Sequence, residues 1–206
     1  MRSIVGLVGL VALAACHSSG TSSEQTSESS SAVFSNGNFE SGSAGAAPPN
    51  WTVTPYLNPG VTITTPQTRD KLNLASGGNA LTILLATTSG AESQVDPSLG
   101  TGASLRWPKY GNQVALVNQK GVNRNTNSLS QTMTISSGDV DPSDAKIHVR
   151  FVVAPVLENP GHTPDQQPYY FVQLSNLTRS STLYRDYNAS AQPGVPWKIS
   201  NGVYYT

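Results

Sequence analysis

What constrains this chain most is a pattern it lacks. From Val33 to Thr206 no stretch of twelve or more residues keeps apolar side chains at i, i+3, i+4 and i+7 without a Gly or Pro intervening. An amphipathic helix therefore has nowhere to form. Short β-type runs recur instead, bounded by Gly, Pro, Asn and Asp, which is how strands are punctuated. They predict strands near 50–56, 60–65, 80–86, 113–118, 129–135, 146–153, 169–175 and 182–187. The clearest alternation is at 146–153. There Ile147, Val149, Phe151 and Val153 share one face, and Lys146, His148 and Arg150 share the other, as in an antiparallel strand with one wet side. Leu129, Met133 and Ile135 repeat the pattern in the preceding run. Strands at these spacings predict an all-β fold, an antiparallel β-sandwich of jelly-roll type.

Two expected connections, 88–111 and 154–168, exceed the usual 2–6 residues, and long loops on a rigid sandwich are common places for binding groups. Residues 66–79 read as a plain crossover. The last β-like run, Gly202 to Thr206, has no strand after it to cover it. An open edge is therefore expected there, with a tendency to associate; the domain looks cut short at this point.

The N-terminus follows different rules. Arg2 is followed by Ile4 to Ala15, all apolar or Gly. That is the length of a signal-peptide core and shorter than the roughly 20 residues a spanning helix needs. Leu13-Ala14-Ala15-Cys16 resembles the bacterial lipobox. The resemblance implies that residues 1–15 are an export signal and that Cys16 carries the acyl (palmitate-type) anchor of a lipoprotein. His17 stands where an aspartate would retain such a protein in the inner membrane, so the expected location is the cell envelope, at the outer membrane. Residues 16–32 then hold the lipidated cysteine and a Ser-rich tether, HSSGTSSEQTSESSS from His17, without a large apolar side chain to bury. Such a flexible segment reaches roughly 20–25 Å. Residues 33–206 form the domain. Cys16 is the only cysteine, so the fold has no disulfide and rests on its core.

Charge narrows the partners. Lys plus Arg and Asp plus Glu balance at 12 each, and charged residues make up 12% of the chain, against about a quarter in typical soluble proteins. No basic run points to nucleic acid. Neutral polar side chains take the place of charge, which suits an extracytoplasmic β-domain and a sugar ligand.

Asn36-Gly37-Asn38-Phe39-Glu40-Ser41-Gly42, with Trp51 further on, resembles the opening signature of galactose-binding-like jelly rolls found in carbohydrate-binding modules. The resemblance implies a Phe39 core anchor and a structural calcium ion at Glu40. The acid on the last strand that usually partners it is missing here. More loosely, residues 34–206 resemble the opening domain of large surface proteins of adventurous gliding motility in soil bacteria, through PKYGNQVALVNQ, DVDPSDAKIHVRFVVAPVLENPGH and QQPYYFVQLSNLT. That likeness implies a surface setting, more strands after position 206, and no defined ligand.

Asp139, Asp141 and Asp144 could offer oxygens to calcium, but they lack EF-hand spacing and read as turn formers. The ligand-binding candidates are aromatic: Trp107 and Tyr110 in the long loop, and Tyr169 and Tyr170, with Tyr184, Tyr187 and Trp197 nearby in sequence. Exposed rings pack on the C–H faces of sugars. No G-x-S-x-G, H-E-x-x-H or phosphate-loop motif occurs, and His17, His148 and His162 are scattered, so no enzyme is expected. Two functional expectations follow. One is a non-catalytic recognition domain for glycan or envelope polymer. The other is an assembly module of a surface motility or adhesion apparatus with protein partners.

Overall fold

Strand β8 (Asn125–Ile135) is the spine of the molecule. Its Ser/Thr-rich run alternates: Leu129, Met133 and Ile135 are buried while Thr132 and Thr134 are exposed, the period of a half-wet strand. The computed structural model describes residues 2–8, 34–87, 94–95, 99–100, 102–119, 122–200 and 202–206, with 2–8 and 94–95 as backbone strands. Cys16, residues 9–15 of the expected signal and the expected tether 16–32 lie outside the described residues.

The other strands, in chain order, are β1 (Arg2–Val8), β2 (Thr52–Leu57), β3 (Ala75–Ser76), β4 (Ile83–Ala86), β5 (Gln94–Val95), β6 (Arg106–Trp107) and β7 (Gln113–Leu116). After β8 come β9 (Val156–Glu158), β10 (Tyr169–Asn176), β11 (Ser181–Ala189), β12 (Lys198–Ser200) and β13 (Val203–Tyr205). The main sheet has the order β11-β10-β1-β8-β2-β3, and smaller sheets are β12-β13-β9, β4-β7 and β5-β6. Every pairing is antiparallel. The chain is all-β, as its punctuation implies. No helix among the described residues is long and apolar enough to cross a membrane.

The main core lies on one face of the six-stranded sheet. Leu129, Met133, Ile135 and Val172 of that face meet Phe34, Phe39, Trp51, Leu84 and Ala115. Trp51 is clasped between Phe34 (5.7 Å, stacked) and Phe39 (5.2 Å), and its indole N–H donates to the Asn36 carbonyl at 3.1 Å. The opposite face of β10 and β11 carries a separate cluster of Val61, Leu72 and Phe171, with Tyr169 and Tyr187 against it. A third cluster, Leu99, Ala103, Val203 and Tyr205, lies beside the β12-β13-β9 sheet.

Several local expectations are revised. Residues 146–153 form no ladder, only isolated bridge residues at Lys146, paired with Asp141, and at Val152. Their alternation is nevertheless correct: Ile147, Val149, Phe151 and Val153 pack on the main core, while Lys146, His148 and Arg150 are exposed. Apolar burial needs only an extended chain and one face; a strand also needs a neighbour for its backbone. Residues 60–65 are likewise extended and held by single bonds, Val61 N–H to the Asp165 carbonyl (2.7 Å) and Thr62 N–H to the Lys71 carbonyl (2.8 Å). The expected loops at 88–111 and 154–168 contain β5, β6 and β9. The run at 202–206 is not an open edge, because β13 lies between β12 and β9. In the main sheet β8 and β10 run parallel to each other, one strand apart, with β1 between them and antiparallel to both.

Candidate functional site

The side chains with the most chemical potential sit where β10 and β11 pair. Tyr170 is opposite Asn188, Val172 opposite Asp186 and Leu174 opposite Tyr184, so these six share one face. The Tyr170 hydroxyl donates to Asp186 Oδ2 at 2.8 Å. Asn188 Nδ2 donates to the Tyr170 oxygen at 2.6 Å and to Asp186 Oδ1 at 3.2 Å. Gln192 Nε2 in turn donates to Asn188 Oδ1 at 3.1 Å, which fixes the amide's orientation. Burial pushes the Tyr170 phenol up to about 12, and the hydrogen bond to Asp186 and its charge add to the effect. Tyr184 is raised too, by burial and then by Asp186.

Of these, Tyr170, Val172, Tyr184 and Asp186 line a groove of about 240 Å³ with Phe151, Val153, Pro155 and Thr206. Tyr184 is 45% exposed and stands edge-on to Phe151 at 5.5 Å. The extended 151–155 segment supplies the apolar wall, and the β10–β11 face supplies the polar one. A ring with an exposed face beside a carboxylate and an amide can stack on a ligand's C–H surface and accept hydroxyl hydrogens.

The sequence candidates do not converge on one site. Tyr169 and Tyr170 are consecutive on a strand and point to opposite faces. Tyr169 lies in the far cluster, its hydroxyl accepting from Asn58 Nδ2 at 2.6 Å and its ring 5.5 Å from Tyr187; burial raises its phenol. Trp107 is buried, 9% exposed, and its indole N–H has no partner among the described residues. It cannot serve as an open platform. Tyr110 is exposed, with Lys109 Nζ 5.8 Å from its ring centre, yet it does not line the groove. Tyr170 alone of the four candidates does. Asp186 and Asn188 were not singled out by sequence reasoning. Their signal is the period-two spacing of Tyr184, Asp186 and Asn188 along one strand face.

Glu40 holds two loops together. Its Oε1 accepts the backbone N–H groups of Asn112 (2.7 Å) and Gln113 (3.0 Å), and its Oε2 accepts Asn112 Nδ2 (3.2 Å). Gly111 is in the left-handed region (φ +66), and a Cβ there would overlap the Glu40 carboxylate. Consecutive N–H groups after a left-handed glycine form a nest for an anion. Calcium needs six to eight oxygen ligands, whereas the groups turned toward this carboxylate are N–H donors. The residues do not fit the ion.

The acidic turn also divides. Asp139 caps the turn at Ser136, accepting from its backbone N–H at 2.7 Å. Asp141, Asp144 and His148 have ligand atoms within 4.8 Å of one another, an arrangement the scattered histidines did not foretell. His148 Nε2 lies 3.1 Å from Asp144 Oδ2, and Asp141 Oδ1 takes both the N–H (2.8 Å) and hydroxyl (2.6 Å) of Ser143. Those Ser143 bonds hold the Asp141 carboxyl below its ordinary value. The group is solvated and satisfied within its own turn. Set against known proteins, the chain matches no family model, no curated protein and no solved structure.

Proposed function

We propose that this chain is a cell-envelope lipoprotein, anchored through Cys16 at the outer membrane, whose β-domain is a non-catalytic recognition module for glycan or envelope polymer. The observation that carries the reading is the Tyr170–Asp186–Asn188 hydrogen-bonded set beside the exposed Tyr184 ring. The carboxylate offers acceptor lone pairs to hydroxyl groups, and the ring offers a face. Low overall charge suits a neutral polymer. Calcium has no part in this reading. The alternative, an assembly module with protein partners, draws on the strand-wide place between β8 and β10 that residues 2–8 fill.

Glycan-array binding by the full-length chain tests recognition directly. The expected outcome is selective binding that Tyr184→Ala weakens about tenfold, which corresponds to about 1.4 kcal/mol, with the melting temperature little changed. Equal binding by the folded variant removes the groove from consideration. The anchor has its own test. Cys16→Ser abolishes palmitate labelling and leaves the signal uncleaved, whereas labelling that persists in the serine variant contradicts the lipoprotein reading.

A further inference from the structure

β8 and β10 flank a place one strand wide in the main sheet, which β1 fills. Both are long, well-formed strands with buried residues, yet they do not pair with each other. They run in the same direction, and each is antiparallel to β1 between them. Seven register pairs tie β1 to β8, from Arg2↔Ile135 to Val8↔Leu129, and five tie it to β10, from Ile4↔Asn176 to Val8↔Val172. Without an occupant, two facing rows of N–H and C=O groups lose their partners at once, twice the liability of an ordinary sheet edge.

The two faces of the slot differ. On the core side the flanking residues include Leu129, Met133 and Ile135 of β8 and Val172 of β10, all buried, together with Leu174 against the same core. On the other side they are Ser130, Thr132 and Thr134 of β8 and Gln173 and Ser175 of β10. The strand that matches this place has apolar residues at every second position and hydroxyl-bearing or amide residues between them. Residues 2–8 match only half of that description. Ile4 and Val8 take the register positions opposite Met133 and Leu129, but Val5 and Leu7 pair with Thr132 and Ser130 on one side and Ser175 and Gln173 on the other.

We infer that, once residues 1–15 are removed, the β8–β10 slot accepts a β-strand from a partner polypeptide, inserted antiparallel to both strands, with alternating apolar and hydroxyl-bearing side chains. The inference rests on the export reading in one respect, since signal removal is what clears the slot. Recognition of this kind takes its affinity from main-chain hydrogen bonds and its specificity from alternate side chains. The Ser-rich segment 17–32 of the chain itself has no large apolar side chain to serve the core side.

The test uses the full-length Cys16→Ser chain with a protease site placed within residues 18–31, cut after folding. The N-terminal fragment is expected to co-elute with the remainder. It should be displaced by the peptide Arg-Ser-Ile-Thr-Val-Thr-Val, followed by fluorescence anisotropy of a labelled copy. The same peptide N-methylated at alternate residues, and one with threonine replacing Ile and Val, should bind at least tenfold more weakly. Equal binding of the N-methylated peptide overturns the inference, because no ladder is then being formed. So does a cut protein that stays folded and takes up no peptide, or one that fills the slot by dimerising with a second copy. The export reading is checked separately by the mass of the protein from native envelopes: a chain beginning at Met1 defeats that reading, while the peptide competition still reports on the slot.

Discussion

Two carboxylates on this molecule, Glu40 and Asp186, show how the same group becomes structural or available. Glu40 sits in a nest of backbone N–H groups behind Gly111. Two of its donors are main-chain N–H groups at the start of β7, which cannot turn away, and the carboxylate ties the 36–42 loop to that strand. Asp186 is held by two side chains, Tyr170 and Asn188, on the wall of a groove with an exposed ring beside it. A ligand hydroxyl can add to its remaining lone pairs, or displace a donor, without disturbing the backbone. The opening signature drew attention to Glu40 as a calcium ligand because the motif around it is conspicuous. Chemistry favours Asp186, because only there do accessible acceptors and an aromatic face coincide.

The contrast is broken most readily at the Glu40 staple. Glu40→Ala leaves two backbone N–H groups of Asn112 and Gln113 without their acceptor, and Gly111→Ala forces a Cβ into the carboxylate at a left-handed position. Each is expected to cost about 2 kcal/mol, which lowers the melting temperature by roughly 4–8 °C in a domain of this size. Chelation with EDTA is expected to leave the melting curve of the parent chain unchanged; a drop with EDTA that Glu40→Ala abolishes would return calcium to this loop. Glycan affinity should be the same in parent and Glu40→Ala once both are folded.

Asp186→Asn sharpens the other side of the comparison. It keeps the shape of the groove but removes the charge and one acceptor, so glycan binding is expected to fall about tenfold, about 1.4 kcal/mol, with little change in melting temperature. A variant that melts much earlier and binds normally would make Asp186 a second structural carboxylate. The smallest effect is alkaline. Tyr170 and Tyr187 are pushed up to about 12, chiefly by burial, against an ordinary value near 10. The folded state thus holds these protons more tightly than the unfolded chain. Their contribution is complete below the unfolded value and is lost as pH rises from about 10 toward 12. Absorbance titration at the phenolate band should show late-ionising tyrosines, Tyr170 and Tyr187 among them, and Tyr170→Phe should remove one.

Composition and punctuation were enough to determine that this chain is all-β, because the frequent Gly and Pro leave no room for helical periodicity and a period of two survives in runs such as 129–135 and 146–153. The opening signature pointed to Phe39 as a core anchor, and alternation sorted the faces of 146–153 correctly, since apolar side chains seek burial whether or not the backbone is paired. Pairing was decided only in three dimensions. Whether 146–153 becomes a strand depends on a neighbour's N–H and C=O groups, which sequence periodicity does not encode, and the same holds for the coverage of β13 and the strand-wide place between β8 and β10. The site was hidden for a related reason. Tyr169 and Tyr170 look like a pair in sequence, yet consecutive strand residues point apart, while Tyr170, Asp186 and Asn188 meet because a hairpin register brings distant positions onto one face. Trp107, conspicuous in its loop, went to the interior, since the hydrophobic gain from burying an indole outweighs the freedom of a loop whenever the fold offers it a cavity.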